Sequence, residues 1–392
     1  MICIETQHFH LNRILLLAIG LWPYQISKFV RLQIILFSGI LTSFVIFQLT
    51  ALITTECTPE FIIKVFSTAM FFSIYVIKYN SFWVNAHNVK YLLEQLQDIC
   101  NQLKDKNEIA IIEKYGNNAK YFTTISIVMC GAFIAILLPI WPHILDTDLH
   151  INESQPRQRV QIVTEYFVNQ EKYFYLILLH KNAVICIGAT TLTGTGTMLV
   201  GYIICACGMF KIASYRIEQA MTSQVLKNIN LENQTMIYKE IIDAVDIHRK
   251  AIKFCEFLSS TFQGSFFLLI IIGVISLSLN IYGIFQNISL DNKEAFLLHL
   301  LFVSVILLYM FVANYAGQEI TNHNNHVYSI TYNSRWYNAP LQAQKLILFI
   351  LLNGSRTYNL NIGGVIVASL ECFATLTKAS MSYFTVMYSM QQ

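Results

Sequence analysis

Two ionisable residues, Glu371 and Lys378, sit inside an apolar run that extends from Ile362 to Met390. Seven residues is close to two helical turns, so on a helix they share one face. At mid-bilayer each would cost about 2.5–3.5 kcal/mol facing lipid, and that face is therefore expected to look at protein or water. From Ser380 to Met390 small hydroxyl residues mix with aromatics, which gives a helix a narrow polar stripe beside an apolar one. Such a helix can line an aqueous pore; it can also pack as one more buried member of a bundle. As one continuous helix the run would be about 43 Å long at 1.5 Å per residue, more than the roughly 30 Å hydrocarbon core of a bilayer. It must tilt strongly or stand out of the membrane at one end.

The other reactive residue types do not assemble into a centre. His323 and His326 stand three apart in His-Asn-Asn-His and read as part of a polar cytoplasmic helix rather than a metal site. The pair Cys205-Ala206-Cys207 lacks further ligands. The run Thr190-Thr191-Leu192-Thr193-Gly194-Thr195-Gly196-Thr197 is not a phosphate loop, because no Gly-Lys-Ser/Thr follows. Its small residues let helices approach closely, and its hydroxyls can bond within the helix or across to a neighbour. There is no Gly-x-Ser-x-Gly, no His-Glu-x-x-His, no pair of intramembrane carboxylates and no internal repeat of the kind transporters show. The sequence points to no enzyme, no metal and no cofactor.

The elements that position these residues are set by composition. Of 392 residues 55% are hydrophobic and only 12% charged, with a mean hydropathy of +0.50. That is about half the charge of a soluble domain, and it marks an integral membrane protein. Seven stretches are long enough to cross: Leu32–Ile53, Phe61–Val84, Tyr121–Trp141, Ala183–Cys207, Phe262–Gln286, Phe296–Gly317 and Ile362–Met390. Ile14–Trp22 is too short and reads as an interfacial helix. Eighteen Lys and Arg fall in residues 1–31, 85–120, 208–261 and 318–361, against four in 54–60, 142–180, 287–295 and 391–392. The positive-inside rule makes the first set cytoplasmic. The prediction is an all-α integral membrane protein of seven transmembrane helices, N-terminus cytoplasmic and C-terminus extracellular, the reverse of a G-protein-coupled receptor. The net charge of +3 reflects the basic loops; the partner this implies is the lipid bilayer, not nucleic acid.

Within that frame, Lys64 and Lys78 lie near the outer and inner ends of the second span, where both can snorkel. Val89, Leu92, Leu93, Leu96, Ile99 and Leu103 recur at helical spacing below it, an amphipathic extension whose apolar face needs a partner. Pro139 and Pro142 are expected to stop the third span. The outer loop of 142–180 reads equally as a lid or as a loose loop. Residues 208–261 are expected to be helical on both sides of a polar turn at Asn228–Gln234, with Ile237, Ile241, Ile242, Val245 and Ile252 on the apolar face. Pro340 fits the start of a short amphipathic helix through Leu352.

Several stretches together resemble insect odorant receptors, over essentially the whole chain. Gly20-Leu21-Trp22-Pro23 looks like that family's opening. Cys207-Gly208-Met209-Phe210-Lys211-Ile212-Ala213-Ser214-Tyr215-Arg216-Ile217-Glu218 is similar to the end of its fourth helix, most of all in receptors of ants and bees. Arg335-Trp336-Tyr337-Asn338-Ala339-Pro340, then Gln344-Lys345, Gly363-Gly364 and Ser382-Tyr383-Phe384-Thr385-Val386, follow in the family's order. The resemblance implies an odorant-binding subunit of a heteromeric ligand-gated cation channel, a tetramer with the co-receptor Orco, in the dendritic plasma membrane of olfactory neurons. The alternatives are a G-protein-coupled-type chemoreceptor or a gustatory receptor channel.

The resemblance also implies a division of the chain. Residues 1–31 form a cytoplasmic segment with the interfacial helix. Residues 32–317 carry six spans, an outer odorant pocket and the extensions 85–120 and 208–261; residues 318–392 carry an assembly anchor and the pore helix. Trp336, Tyr337, Pro340 and Lys345 fall in the anchor. The gate positions are Val386 and Met390, with Ser389 where Orco and the taste receptors have Gln, which argues against both. A small hydrophobic odorant is expected among Phe71, Phe72 and Tyr75 on the second span, Cys130, Phe133 and Leu137 on the third, Ile187 and Thr191 on the fourth, Tyr282 on the fifth and Phe302 on the sixth.

Overall fold

The computed structural model describes residues 7–25, 27–146, 162–169, 172–222, 231–289, 293–354, 360–362 and 366–390. Side-chain caps open the first two spans. Ser27 accepts the Val30 N–H at 3.1 Å to open α2, Lys28–Leu49, after a short α1, His10–Ala18. One more turn, α3 (Ala51–Thr54), extends α2 outward. Thr58 accepts the Phe61 N–H, and Pro59 and Glu60 fill the first turn of α4, Pro59–Val84. Then follow α5 (Ala86–Gln102), α6 (Lys106–Asp146), α7 (Phe174–Ala220), α8 (Leu231–Ser289) and α9 (Lys293–Asn333). A single 3₁₀ turn, Trp336–Asn338, leads to α10, Leu341–Gly354. Among the described residues six helices are long and apolar enough to cross a membrane. The expected all-α bundle of spans is present.

The seventh span differs from its expectation. It is not a 43 Å rod: residues Asn361–Ile362 and Ile366–Val367 pair as a two-stranded antiparallel hairpin, β1 and β2, and α11 runs only from Leu370 to Ser389. The turn between the strands carries Gly363 and Gly364 and lies outside the described residues. Each glycine costs a helix about 1 kcal/mol, and Ser369, accepting the Cys372 N–H at 3.1 Å, starts the new helix cleanly. Twenty residues make about 30 Å, so α11 matches the hydrocarbon thickness without strong tilt. Glu371 then falls in the first turn, where a carboxylate complements the helix dipole.

The N-terminal helix packs one face on the bundle: Leu16, Leu21 and Trp22 are buried, Asn12 donates to Thr197 of α7 at 2.8 Å, and Tyr79 of α4 donates to the Ile19 carbonyl at 2.9 Å. Small residues on α7 make room for it, Gly201 against the Phe9 ring and Gly194 against Leu15. The third span does not stop at its prolines, since α6 continues to Asp146; each removes one backbone donor, a loss that a helix within a membrane tolerates where the freed carbonyl finds another partner. Ile242 is exposed, and Ala244, Ile247 and Ala251 complete the buried face of α8 instead. Of the turn expected at Asn228–Gln234, Leu231–Gln234 already belong to α8, and residues 223–230 lie outside the described residues.

All stretches assigned to the cytoplasmic side meet at one end of the bundle. The apolar face of α5 is covered by this chain, with the Tyr202 hydroxyl of α7 donating to the Val89 carbonyl at 2.8 Å. His323 and His326 of α9 pair with Tyr115 of α6 and Ser214 of α7, at 2.8 and 3.1 Å. Burial holds the His248 imidazole of α8 below its ordinary value, and it sits 2.9 Å from the Asn324 amide oxygen, to which a neutral ring donates. The centre is Arg216 of α7, which donates to both carboxylate oxygens of Glu108 on α6 and to the Asp243 carbonyl on α8. Those hydrogen bonds to Glu108 raise the Arg216 pKa. At the other end residues 162–169 of the outer loop lie over α2 and α7: Glu165 donates its N–H to the Phe47 carbonyl, and His180 bridges Tyr166 and Ser43.

Removing one member of a buried ion pair strands the other, at about 3–5 kcal/mol. Glu108→Ala should therefore lower thermal stability of the purified protein by about that amount, and Glu108→Leu with Arg216→Met should recover part of the loss. Thermal unfolding in detergent checks this; a double variant no more stable than Glu108→Ala would remove the pair from its clamping role.

Candidate functional site

Phe71 and Tyr75 stand one turn apart on α4 with Phe72 between them, and all three are buried. Phe71 stacks on Phe302 of α9 with ring centroids 4.0 Å apart. Tyr75 meets Phe71 and Phe72 edge-on at 5.4 and 5.7 Å, and Phe72 meets Phe44 of α2 at 4.7 Å. Each such pair contributes about 0.5–1.5 kcal/mol beyond its buried area. Beside this cluster, among α4, α7, α8 and α9, is a cavity of about 20 Å³, room for about one water. Ile74, Leu192, Leu269, Ile306 and Met310 make its walls apolar, and Tyr75 and Tyr309 are the lining residues that carry a hydroxyl. Gly188 of α7 lets Tyr75 stand where it does, because a Cβ there would come within 2.0 Å of the ring.

The second arrangement is on α11. Phe373 and Leu376 pack against the core, Ser380 is fully buried, and Phe384 is buried in a stack on Phe285 of α8 at 4.9 Å. At about 100° per residue, the opposite side carries Glu371, Thr375, Lys378, Ser382, Val386 and Ser389, all exposed. Val386 is 53% exposed and Met390 82% exposed. One chain thus buries one face of its last helix and leaves a polar, charge-bearing face open.

A sequence model of the "7tm Odorant receptor" family matches residues 58–381. The chain belongs to the odorant receptor family. It is 23% identical to Odorant receptor 33b of Drosophila melanogaster over 153 residues, a match that spans 39% of this chain and 40% of that protein. In fold it is similar to the olfactory receptor OR5 of Machilis hrabei solved in complex with eugenol, with a TM-score of 0.78 at 14% identity over 99% of this chain and 98% of that one. A second structure of the same receptor gives a TM-score of 0.78 at 14% identity, covering 97% of each chain. The chain is a multi-pass membrane receptor.

The odorant-receptor fold brings some of the expected residues together and separates others. Phe71 and Tyr75 line the cavity; Phe72 and Phe302 back it. Ile187 is buried beside Gly188 and Thr191 a turn further on, but the Thr191 hydroxyl donates to the Ile187 carbonyl at 2.7 Å. Cys130 is half-buried close to Tyr75, and Phe133 packs against the core, neither lining the cavity. The Leu137 side chain lies outside the described residues. Tyr282 is buried farther out, level with a polar set in which Asn280 of α8 bonds His299 of α9 and the Ser67 carbonyl of α4. Trp336 packs on the core, Tyr337 is 63% exposed, Pro340 directly precedes α10 and Lys345 is exposed.

The residue that sequence reasoning misplaced is Lys78. It does not reach the inner interface: it is 4% exposed, with its ammonium 4.8 Å from the Tyr309 ring centroid and 5.6 Å from that of Phe266. The signal was its spacing, since three and four residues after Tyr75 and Ile74 is the same helical face.

Close packing at Gly188 yields a direct test. Gly188→Ala should destabilise the receptor by about 1–3 kcal/mol through overpacking against Tyr75. Gly131→Ala, where nothing lies within 4 Å of the added carbon, should be neutral or slightly stabilising. Paired thermal unfolding curves check it, and equal midpoints for the two variants would contradict the contact.

Proposed function

We propose that this odorant receptor is the ligand-binding subunit of a heteromeric cation channel that it forms with the co-receptor Orco in the dendritic plasma membrane of olfactory neurons. The observation that carries the reading is the open face of α11. A lysine, a glutamate and a row of hydroxyls along a membrane-length helix are unfavourable against lipid. They become favourable when several subunits turn that face toward a shared aqueous path. Val386 and Met390 lie at the outer end of the same face and supply the apolar constriction that closes it by excluding water, with Ser389 beside them. Glu371 and Lys378 lie toward its inner end.

The remaining parts take their roles from this arrangement. The inner ends of α5 to α10 form the anchor through which subunits assemble, with Trp336 and Pro340 shaping the entry to α10, and Tyr337 and Lys345 on its exposed side. The aromatic cluster around Phe71, Tyr75 and Phe302 is where a small hydrophobic odorant binds; with so little room in the closed cavity, a ligand must push rings aside. That the Machilis hrabei receptor of the same fold was solved with eugenol supports a small organic ligand of this kind.

Co-expression with Orco should give odorant-gated cation current that neither chain's omission preserves. Val386→Ser, which makes the constriction easier to wet, should raise basal current, partially because partner subunits keep their own gate residues. Met381→Ser, on the flank of α11, should leave basal current unchanged. Normal surface expression of Val386→Ser with wild-type gating would place the wrong face in the pore.

A further inference from the structure

Lys78 is a buried cation without a counter-charge. The membrane segments that surround the cavity, residues 61–84, 183–207, 262–286 and 296–317, contain no Asp or Glu. Among the described residues the Lys78 ammonium meets ring faces only, those of Tyr309 and Phe266. A ring face compensates a buried ammonium only in part, and the lost hydration leaves it seeking an anion. Its surroundings direct that demand to one place. A helical side chain leans toward its helix N-terminus, which for Lys78 is the direction of Ile74 and Tyr75. Both line the cavity, and so does Tyr309, on which the ammonium rests.

We propose that the cavity takes a compact carboxylic acid, bound as its carboxylate with Lys78 as counter-ion; this deepens the odorant-receptor reading and rests on it. The carboxylate accepts a charge-assisted hydrogen bond from the ammonium, and of the cavity's lining residues Tyr75 and Tyr309 are the ones that carry a side-chain O–H donor. The hydrocarbon part lies among Phe71, Leu269, Ile306 and Met310. Alcohols and esters of the same skeleton fill the apolar walls equally but leave Lys78 uncompensated. Charge at that one position therefore sorts ligands of equal size.

The test uses hexanoic, octanoic and phenylacetic acids at neutral pH, each beside its alcohol and methyl ester. Two readouts are taken: thermal stabilisation of the purified receptor, and current in cells that also express Orco. At least one acid should act at a concentration about tenfold or more below its alcohol and ester, as a charge-assisted bond provides. Lys78→Met should remove that advantage while leaving alcohol and ester responses within about threefold, less than the loss of one hydrogen bond. Lys78→Arg should retain it. The proposal is overturned if no acid outperforms its neutral analogues on the wild type, or if Lys78→Met weakens all three classes alike, which is the signature of a structural clamp. If Lys78→Met fails to fold, the wild-type preference and its retention in Lys78→Arg decide the matter. Stabilisation by an acid with no current from any ligand would sink the channel reading and leave this site standing. Current from neutral odorants with no acid preference would do the reverse.

Discussion

Inside a bilayer there is no water to satisfy a polar group, and that constraint decides where each polar side chain of this receptor goes. Threonines of α7 return their hydroxyls to carbonyls one turn back: Thr191 to Ile187, Thr195 to Thr191 and Thr197 to Thr193, all at 2.7 Å. Asn280 and His299 bond each other between α8 and α9. Asn12 is taken up by Thr197 and Thr123. Such pairing demands close approach of helices, and the glycines of α7 supply it, with Tyr75, Leu15 and Phe9 packed against Gly188, Gly194 and Gly201. α7 is accordingly the most enclosed of the six long spans.

The buried His8 ring nitrogens and the Gln48 amide have no hydrogen-bond partner among the described residues. Two further departures from this internal pairing bear on the proposed function. Among the described residues the Lys78 ammonium meets rings alone, close to the cavity beside the aromatic cluster. The open face of α11 returns the Thr375 and Ser389 hydroxyls to carbonyls of its own helix but leaves Glu371 and Lys378 exposed. On the proposed reading these two take partners from elsewhere, a ligand in the first case and water with neighbouring subunits in the second. Between them run α8 and α9, which touch both: Leu269 and Met310 at the cavity, Phe285 and Phe311 against Phe384 and Phe373 of α11. On the proposed reading, a ligand that displaces rings at the cavity would press on the two helices that pack against α11.

Much of this was legible in the sequence because hydropathy and basic-residue asymmetry report on the membrane directly. The first six spans, the extensions at the basic end and the polar stripe of the last helix follow from length, period and charge. What was not legible depended on neighbours. The break before α11 was written in Gly363, Gly364 and Ser369, but an apolar run masks such signals until the hairpin is seen resting on α8, where Ser259 donates to the Asn361 carbonyl at 2.6 Å. The N-terminal helix reads as interfacial because its length is short; what it packs on was not legible, since the glycines that receive it lie almost two hundred residues away. Lys78 read as snorkelling because a span end offers that exit; its burial is set by Phe266 and Tyr309, on two other helices. Depth in the membrane selected Phe71, Tyr75 and Phe302 correctly as one cluster, but not the walls that α8 and α9 contribute.

The central claim is that the open face of α11 borders an aqueous path, and cysteine accessibility addresses it most directly. Single cysteines at Ser382 and Ser389 on the open face, and at Ser380 on the buried face, are introduced into the receptor expressed with Orco. A charged, membrane-impermeant thiol reagent is then applied from outside during odorant-gated current. The account predicts rapid block at Ser382→Cys and Ser389→Cys, and none at Ser380→Cys or in the parent receptor. Modification at Ser380→Cys with no effect at Ser382→Cys and Ser389→Cys would contradict it.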